Sequence, residues 1–205
     1  MIAKVCGITR QTDALHAVQC GATALGFVFW PRSPRYVDPE RAAEIIRELP
    51  DTVTAVGVFV NQPPDEISRI ATTAGITTIQ LHGDEPPALA TAFSRPVWRA
   101  VSLNEAGHVI AEWPAETTFL LDAHDPTLRG GTGKAIDWTA AAHVASARRV
   151  VLAGGLTPDN VQEAIATVRP FGVDVSSGVE EAPGVKDFDK TARFLARARE
   201  ALNGH

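Results

Sequence analysis

Cysteine is scarce: the chain has two, Cys6 and Cys20. They form no CxxC pair and no zinc-type spacing, so neither a disulfide framework nor a zinc site is expected, and a reducing cytoplasm is the compartment that fits. No block of like charge stands out among the 19 basic and 24 acidic side chains, which net to −5. That argues against a nucleic-acid footprint and against a polybasic membrane patch. No apolar run is long enough to span a bilayer. A charged stretch leading into an apolar segment and a cleavage site, the mark of a secretory leader, is lacking too. No glycine fingerprint follows the first apolar stretch; Cys6-Gly7-Ile8-Thr9 stands there instead, which disfavours an open dinucleotide-binding sheet. No linker or shift in composition divides the 205 residues, so a single domain over 1–205 is expected.

What is present is a full apolar complement, 45% of residues, arranged in a beat of strands and helices. A short strand ends at Cys6, and Thr9 is placed to cap the helix that Gly21 stops. Apolar stretches at 23–29, 53–60, 77–81, 96–101, 117–122, 149–153 and 171–175 read as the next seven strands. They are apolar throughout, as strands covered on both faces should be. Between them helices are expected from Asp38-Pro39-Glu40, over 64–74, 85–93, 104–112 and 137–145, and from Thr157-Pro158. Each of Asp38 and Thr157 is an N-cap ahead of a first-turn proline. Asp187 caps a last helix that runs to about residue 202. Eight such units at about 25 residues each predict an α/β fold, a single (β/α)8 TIM barrel.

In a barrel the polar residues at the C-terminal ends of the strands share one mouth. Here these are Cys6, Arg35, Gln80, His82, Arg99, Asp122, Asp174, Ser176 and Ser177, with glycines at 154, 155 and 178. A ring of polar groups over an apolar core calls for a ligand. The loops after strands seven and eight, Ala153-Gly154-Gly155 and Ser176-Ser177-Gly178, are where barrels bind phosphate on backbone N–H groups. Gly130-Gly131-Thr132-Gly133-Lys134 is not a P-loop: Leu128 occupies the place of its first glycine, and Ala135 follows the lysine. A lid over the mouth suits that stretch better. Asp122-Ala123-His124-Asp125 lacks a second cluster to complete a metal site, so no metal is expected. Cys20, at a helix end, reads as packing. Cys6 alone would read as a small buried hydrophobe. Together with Asp122 it forms a pair able to move protons across a small substrate, with thiolate as base and carboxylic acid as acid. Lys4 shares a strand face with Cys6 and is expected to raise its thiolate fraction.

The motifs Lys4-Val5-Cys6-Gly7-Ile8-Thr9, Gly26-Phe27-Val28-Phe29, Ser33-Pro34-Arg35, Gln80-Leu81-His82-Gly83 and Leu121-Asp122 occur in that order. Gly130-Gly131-Thr132-Gly133, Ala153-Gly154-Gly155-Leu156 and Asp174-Val175-Ser176-Ser177-Gly178-Val179-Glu180 follow. In this order and spacing the chain resembles the phosphoribosylanthranilate isomerases of tryptophan biosynthesis, along its whole length. The resemblance implies a cofactor-free (β/α)8 barrel. It would convert N-(5-phosphoribosyl)anthranilate to 1-(2-carboxyphenylamino)-1-deoxyribulose 5-phosphate by an Amadori rearrangement. It implies Cys6 as general base and Asp122 as general acid. Arg35 would pair with the anthranilate carboxylate, and Gln80 and Asp174 would lie near the ring and the sugar. Gly154, Gly155, Ser177 and Gly178 would hold the phosphate. The partner it implies is a small phosphosugar, with neither nucleic acid nor membrane, for a monomer or homodimer. Two alternatives are an enzyme that also accepts the histidine-pathway aminoaldose and a non-catalytic phosphate-binding barrel. Relatives acting on the aminoaldose carry an aspartate where Cys6 stands.

Overall fold

The structure, a computed structural model, describes residues 2–122 and 137–203. Ile2–Cys6 (β1) leads to Gln11–Gln19 (α1), Ala24–Val28 (β2), Pro39–Arg47 (α2), Thr54–Phe59 (β3), Pro64–Ala74 (α3) and Thr78–Leu81 (β4). The 3₁₀ segment Pro87–Thr91 follows, then Val97–Ser102 (β5), Leu103–Glu112 (α4) and Thr118–Asp122 (β6). Trp138–Ala147 (α5), Val150–Ala153 (β7), Val161–Val168 (α6) and Gly172–Val175 (β8) continue the pattern. The 3₁₀ turn Ser177–Val179, a two-stranded ribbon of Glu180–Ala182 (β9) and Val185–Lys186 (β10), and Phe188–Asn203 (α7) close it. The strands β1 to β8 pair in parallel in chain order, and β8 returns to β1 through Ile2↔Gly172 and Lys4↔Asp174. This is the closed (β/α)8 barrel that the strand spacing predicts.

Alternation along the strands divides the apolar residues between two layers. Val5, Leu25, Phe27, Phe59, Ile79, Leu81, Phe119, Leu121, Leu152 and Val173 face the helices and form the larger core. Ala24, Val56, Trp98, Ala100, Leu120, Val151 and Ala153 fill the lumen. The strands therefore bury both faces, which is why they read as unbroken apolar runs. Helix signals acted where the chemistry allowed. Asp38 Oδ1 accepts from Glu40 N at 3.1 Å, with Pro39 opening α2. Gly75 ends α3 in the left-handed region, at φ 76°. Asp187 Oδ1 accepts from Lys190 N at 2.9 Å at the start of α7.

Three local expectations fail for identifiable reasons, and one element goes beyond them. The stretch 85–93 is not an α-helix. Pro86 is extended, and the Glu85 carboxylate accepts from Asn61 N, Gly83 N and Arg99 Nη1, each at 2.8 Å, so residue 85 serves as a loop anchor. Helix α6 starts at Val161 rather than at Thr157-Pro158: Thr157 does cap the turn ahead of it, its hydroxyl accepting from Asp159 N at 3.2 Å, and Asn160 ties that turn, accepting from Thr157 N and donating to Gly155 O. Thr9 does not cap α1; its hydroxyl donates to Gly184 O at 2.6 Å. The ribbon of β9 and β10 was not anticipated, although Pro183-Gly184 between them is a turn signal. The glycine-rich stretch with its proposed lid, and His124, lie outside the described residues.

Candidate active site

Side chains that face the lumen reach the mouth only at the strand ends, and there the polar residues gather. A cavity of about 770 Å³ opens at this end. Its walls include Cys6 from β1, Arg35 from the loop after β2, Gln80 from β4, Asp122 from β6 and Asp174 from β8. Gly154 and Gly155 after β7, and Ser177 and Gly178 after β8, complete them. All nine residues given a catalytic or binding role from the sequence thus border one space. His82, Ser176 and Trp30 border it too. Arg99 does not: it lies between the lumen residues Trp98 and Ala100, faces the other way, and pairs with Glu85 beneath Trp113.

The floor of the cavity is charged. Lys4 is fully buried, and its Nζ lies 2.9 Å from Asp174 Oδ1. Burial works against the Lys4 charge, but Asp174 and then Cys6 outweigh it and hold the ammonium above the ordinary lysine range. For Cys6 the balance goes the other way. Burial pushes the thiol up, Lys4 pulls it down, Asp174 pushes it up, and Lys186 pulls it down. The thiol ends above its usual value, so Lys4 favours the thiolate as expected without overcoming burial. Space for the sulfur comes from Gly26 on the neighbouring strand: a Cβ there would meet Sγ at 2.6 Å.

The walls are held by longer-range contacts. Arg35 lies against Glu180, with Nε 2.9 Å from Oε1 and Nη2 2.6 Å from Oε2, a bidentate fork. Gln80 Nε2 lies 3.0 Å from His82 Nδ1, and Gln80 Oε1 has no hydrogen-bond partner among the described residues. Burial, then the nearby Lys4 charge, push the His82 imidazole below its ordinary value and keep it neutral at pH 7. Gly154 and Gly155 both hold positive φ, 87° and 69°, a sharp turn that suits glycine. Gly178 sits directly on the Leu156 carbonyl, so the two turns that follow β7 and β8 are in contact.

His82, placed at the mouth by the sequence but given no catalytic or binding role, borders the cavity two residues beyond Gln80; Lys186 and Glu180 are not named as site residues from the sequence. Lys186 and Glu180 belong to the unanticipated ribbon. Among the described residues no helix is long and apolar enough to cross a membrane.

Comparison with known proteins bears on this site. The family model described as N-(5'phosphoribosyl)anthranilate (PRA) isomerase matches residues 3–197. The N-(5'-phosphoribosyl)anthranilate isomerase of Citrifermentans bemidjiense is 49% identical over 199 residues, covering 96% of each chain. That of Trichlorobacter lovleyi is 48% identical over 202 residues, covering 97% of this chain and 98% of the other. The crystal structure of the phosphoribosyl anthranilate isomerase from Thermotoga maritima superposes with a TM-score of 0.89 at 43% identity, covering 98% and 100% of the two chains. A crystal structure of the isomerase in complex with reduced 1-(o-carboxyphenylamino)-1-deoxyribulose 5-phosphate superposes at 0.86 with 40% identity, covering 98% and 100%.

Proposed function

The chain belongs to the N-(5'-phosphoribosyl)anthranilate isomerase family and is an isomerase of tryptophan biosynthesis, and from that premise we propose that Cys6 is its general base and Asp122 its general acid. The observation that supports the pair is their shared cavity: β1 and β6 are not neighbours in the barrel, yet both end on the same space. In this reading a phosphosugar lies across the mouth. Its phosphate rests on the backbone N–H groups of Gly154, Gly155, Ser177 and Gly178. The anthranilate carboxylate turns toward the Arg35 guanidinium. Gln80, with Oε1 unpartnered, offers an acceptor to the bridging amine or a sugar hydroxyl.

The chemistry then needs two proton transfers. Asp122 gives its proton to the ribose ring oxygen, the C1–O bond breaks, and the nitrogen lone pair forms a protonated Schiff base at C1. The iminium makes the C2 hydrogen acidic. Cys6, as thiolate, removes it, and the electrons flow through C1 to nitrogen, giving an enolamine. Tautomerisation of the enolamine leaves the C2 ketone. Asp174 is the third polar group of the floor and lies beside the sugar, its Oδ1 2.9 Å from Lys4 Nζ. The barrel acts as one domain on this reading, in a reducing cytoplasm where the two free thiols, Cys6 and Cys20, persist.

The test is turnover of phosphoribosylanthranilate, followed by its fluorescence, in Cys6→Ala and Asp122→Asn. Each is expected to lose on the order of a hundredfold or more in kcat, the usual scale for a general acid or base, while binding of the reduced product analogue stays near wild type. Near-native turnover in either variant would remove that residue's role.

A further inference from the structure

The Lys186 side chain is 1% exposed, lies outside the lumen, and is not part of the reaction as written above. Its Nζ lies 2.6 Å from Cys6 O, 2.8 Å from Glu180 Oε1 and 3.3 Å from Ser176 O. Three acceptors around one nitrogen need three N–H donors, which the ammonium supplies and an amine does not. Each acceptor belongs to a different part of the site. Cys6 O is the main-chain oxygen of the base itself. Ser176 O precedes the 3₁₀ turn that carries Ser177 and Gly178. Glu180 holds the Arg35 fork. We propose that Lys186 is a positioning residue for the isomerisation, a single buried ammonium that locks the base strand, the phosphate turn and the carboxylate-binding arginine into one register.

Two further observations support this. The Cys6 carbonyl receives a second donor, Ser176 Oγ at 3.2 Å, so the end of β1 is held beyond its strand ladder. The ammonium is itself rooted: Lys186 N donates to Asp13 Oδ2 at 3.0 Å, and Asp13, fully buried, is clamped by Arg10 Nε and Nη2. The ribbon that presents Lys186 is closed by Gly184 N donating to Glu180 Oε1 and by the Thr9 hydroxyl on Gly184 O. The same ammonium is a positive charge near the sulfur. The groups charged or titratable around that thiol are Lys4 on β1, Asp174 on β8, Lys186 on β10 and Arg35 after β2, with Asp122 and His82 across the cavity. Removing Lys186 removes one of the positive charges that pull the thiol down, beside Lys4 and Arg35.

The inference rests on Cys6 as the base, and its test separates the two. In a Cys20→Ala background the remaining thiol is Cys6. Its alkylation by iodoacetamide is measured against pH, alongside kcat and KM, for Lys186→Met and Lys186→Gln. Lys186→Met is expected to move the alkylation profile to higher pH and to lower kcat by about tenfold to a hundredfold, the scale of a small misplacement of a reacting group. Lys186→Gln keeps a donor for Cys6 O but no charge. It is expected to move the profile as far while losing less in kcat. Unmoved profiles with wild-type kcat in both variants would overturn the inference, as would a loss confined to KM. A Lys186→Gln chain that does not fold by circular dichroism would make Lys186 a folding residue and overturn it equally. Wild-type turnover in Cys6→Ala would instead remove the base assignment, whatever happens at Lys186.

Discussion

The two apolar layers of the barrel are built from the same strands and do different things. The layer between strands and helices is large and aromatic, with Phe27, Phe59 and Phe119 among its fully buried members. The lumen is thinner, with alanine and valine at most of its positions, and it is capped by Gln80, Asp122 and Asp174, with Lys4 buried against Asp174, instead of more hydrocarbon. Hydrophobic burial scales with apolar area, so most of the stabilisation lies in the outer layer. The lumen gives up apolar packing at one end to hold charges that only a fixed frame can keep in place. One layer makes the barrel and the other makes the site. Substitutions in the two should therefore part stability from turnover.

The largest expected separation is at Asp122→Asn: turnover down by about a hundredfold to ten-thousandfold, with the urea midpoint close to wild type. The mirror image is Phe27→Ala, which should cost about 3–5 kcal/mol of unfolding free energy in urea and leave kcat per folded molecule unchanged. If Phe27→Ala silenced the folded enzyme, or Asp122→Asn unfolded it, the division between layers would be wrong. Gly26→Ala probes the seam where the two meet. Its new methyl would stand 2.6 Å from the Cys6 sulfur, so kcat should fall about tenfold or more through a displaced base, measurable against an unchanged far-ultraviolet spectrum.

The smallest effect is a pH dependence of stability. His82 is held neutral below the ordinary imidazole value of 6.5, first by burial and then by Lys4. Below that value the unfolded chain takes up a proton that the folded chain refuses, so stability falls as pH drops from 7 toward 5. Urea denaturation at several pH values should show this slope, and His82→Gln should flatten it. An equal slope in the variant would place the proton uptake elsewhere.

How much of this was readable from residues follows the same division. The barrel was legible because both faces of each strand are buried and the spacing of strands and stops repeats; α3 runs from Pro64 to Ala74, the range the pattern predicts. The nine site residues were nameable because they sit at strand ends within short motifs. What could not be read depends on contacts between residues far apart in sequence. Lys4 meets Asp174 across 170 positions, and Lys186 meets Cys6 across 180. No local pattern encodes either. Glu85 reads as a helix start until Asn61, Gly83 and Arg99 compete for its carboxylate. Arg99 looked like a residue of the mouth because a strand position alone does not say which layer a side chain joins.

On the proposed mechanism Cys6 takes the proton from C2 of the sugar. Substrate deuterated at C2 tests it most directly, by following release of the label to solvent in wild type and in Cys6→Ala. Wild type is expected to release deuterium as product forms, and Cys6→Ala to release almost none while still binding the reduced analogue. Release by Cys6→Ala at the wild-type rate would contradict it.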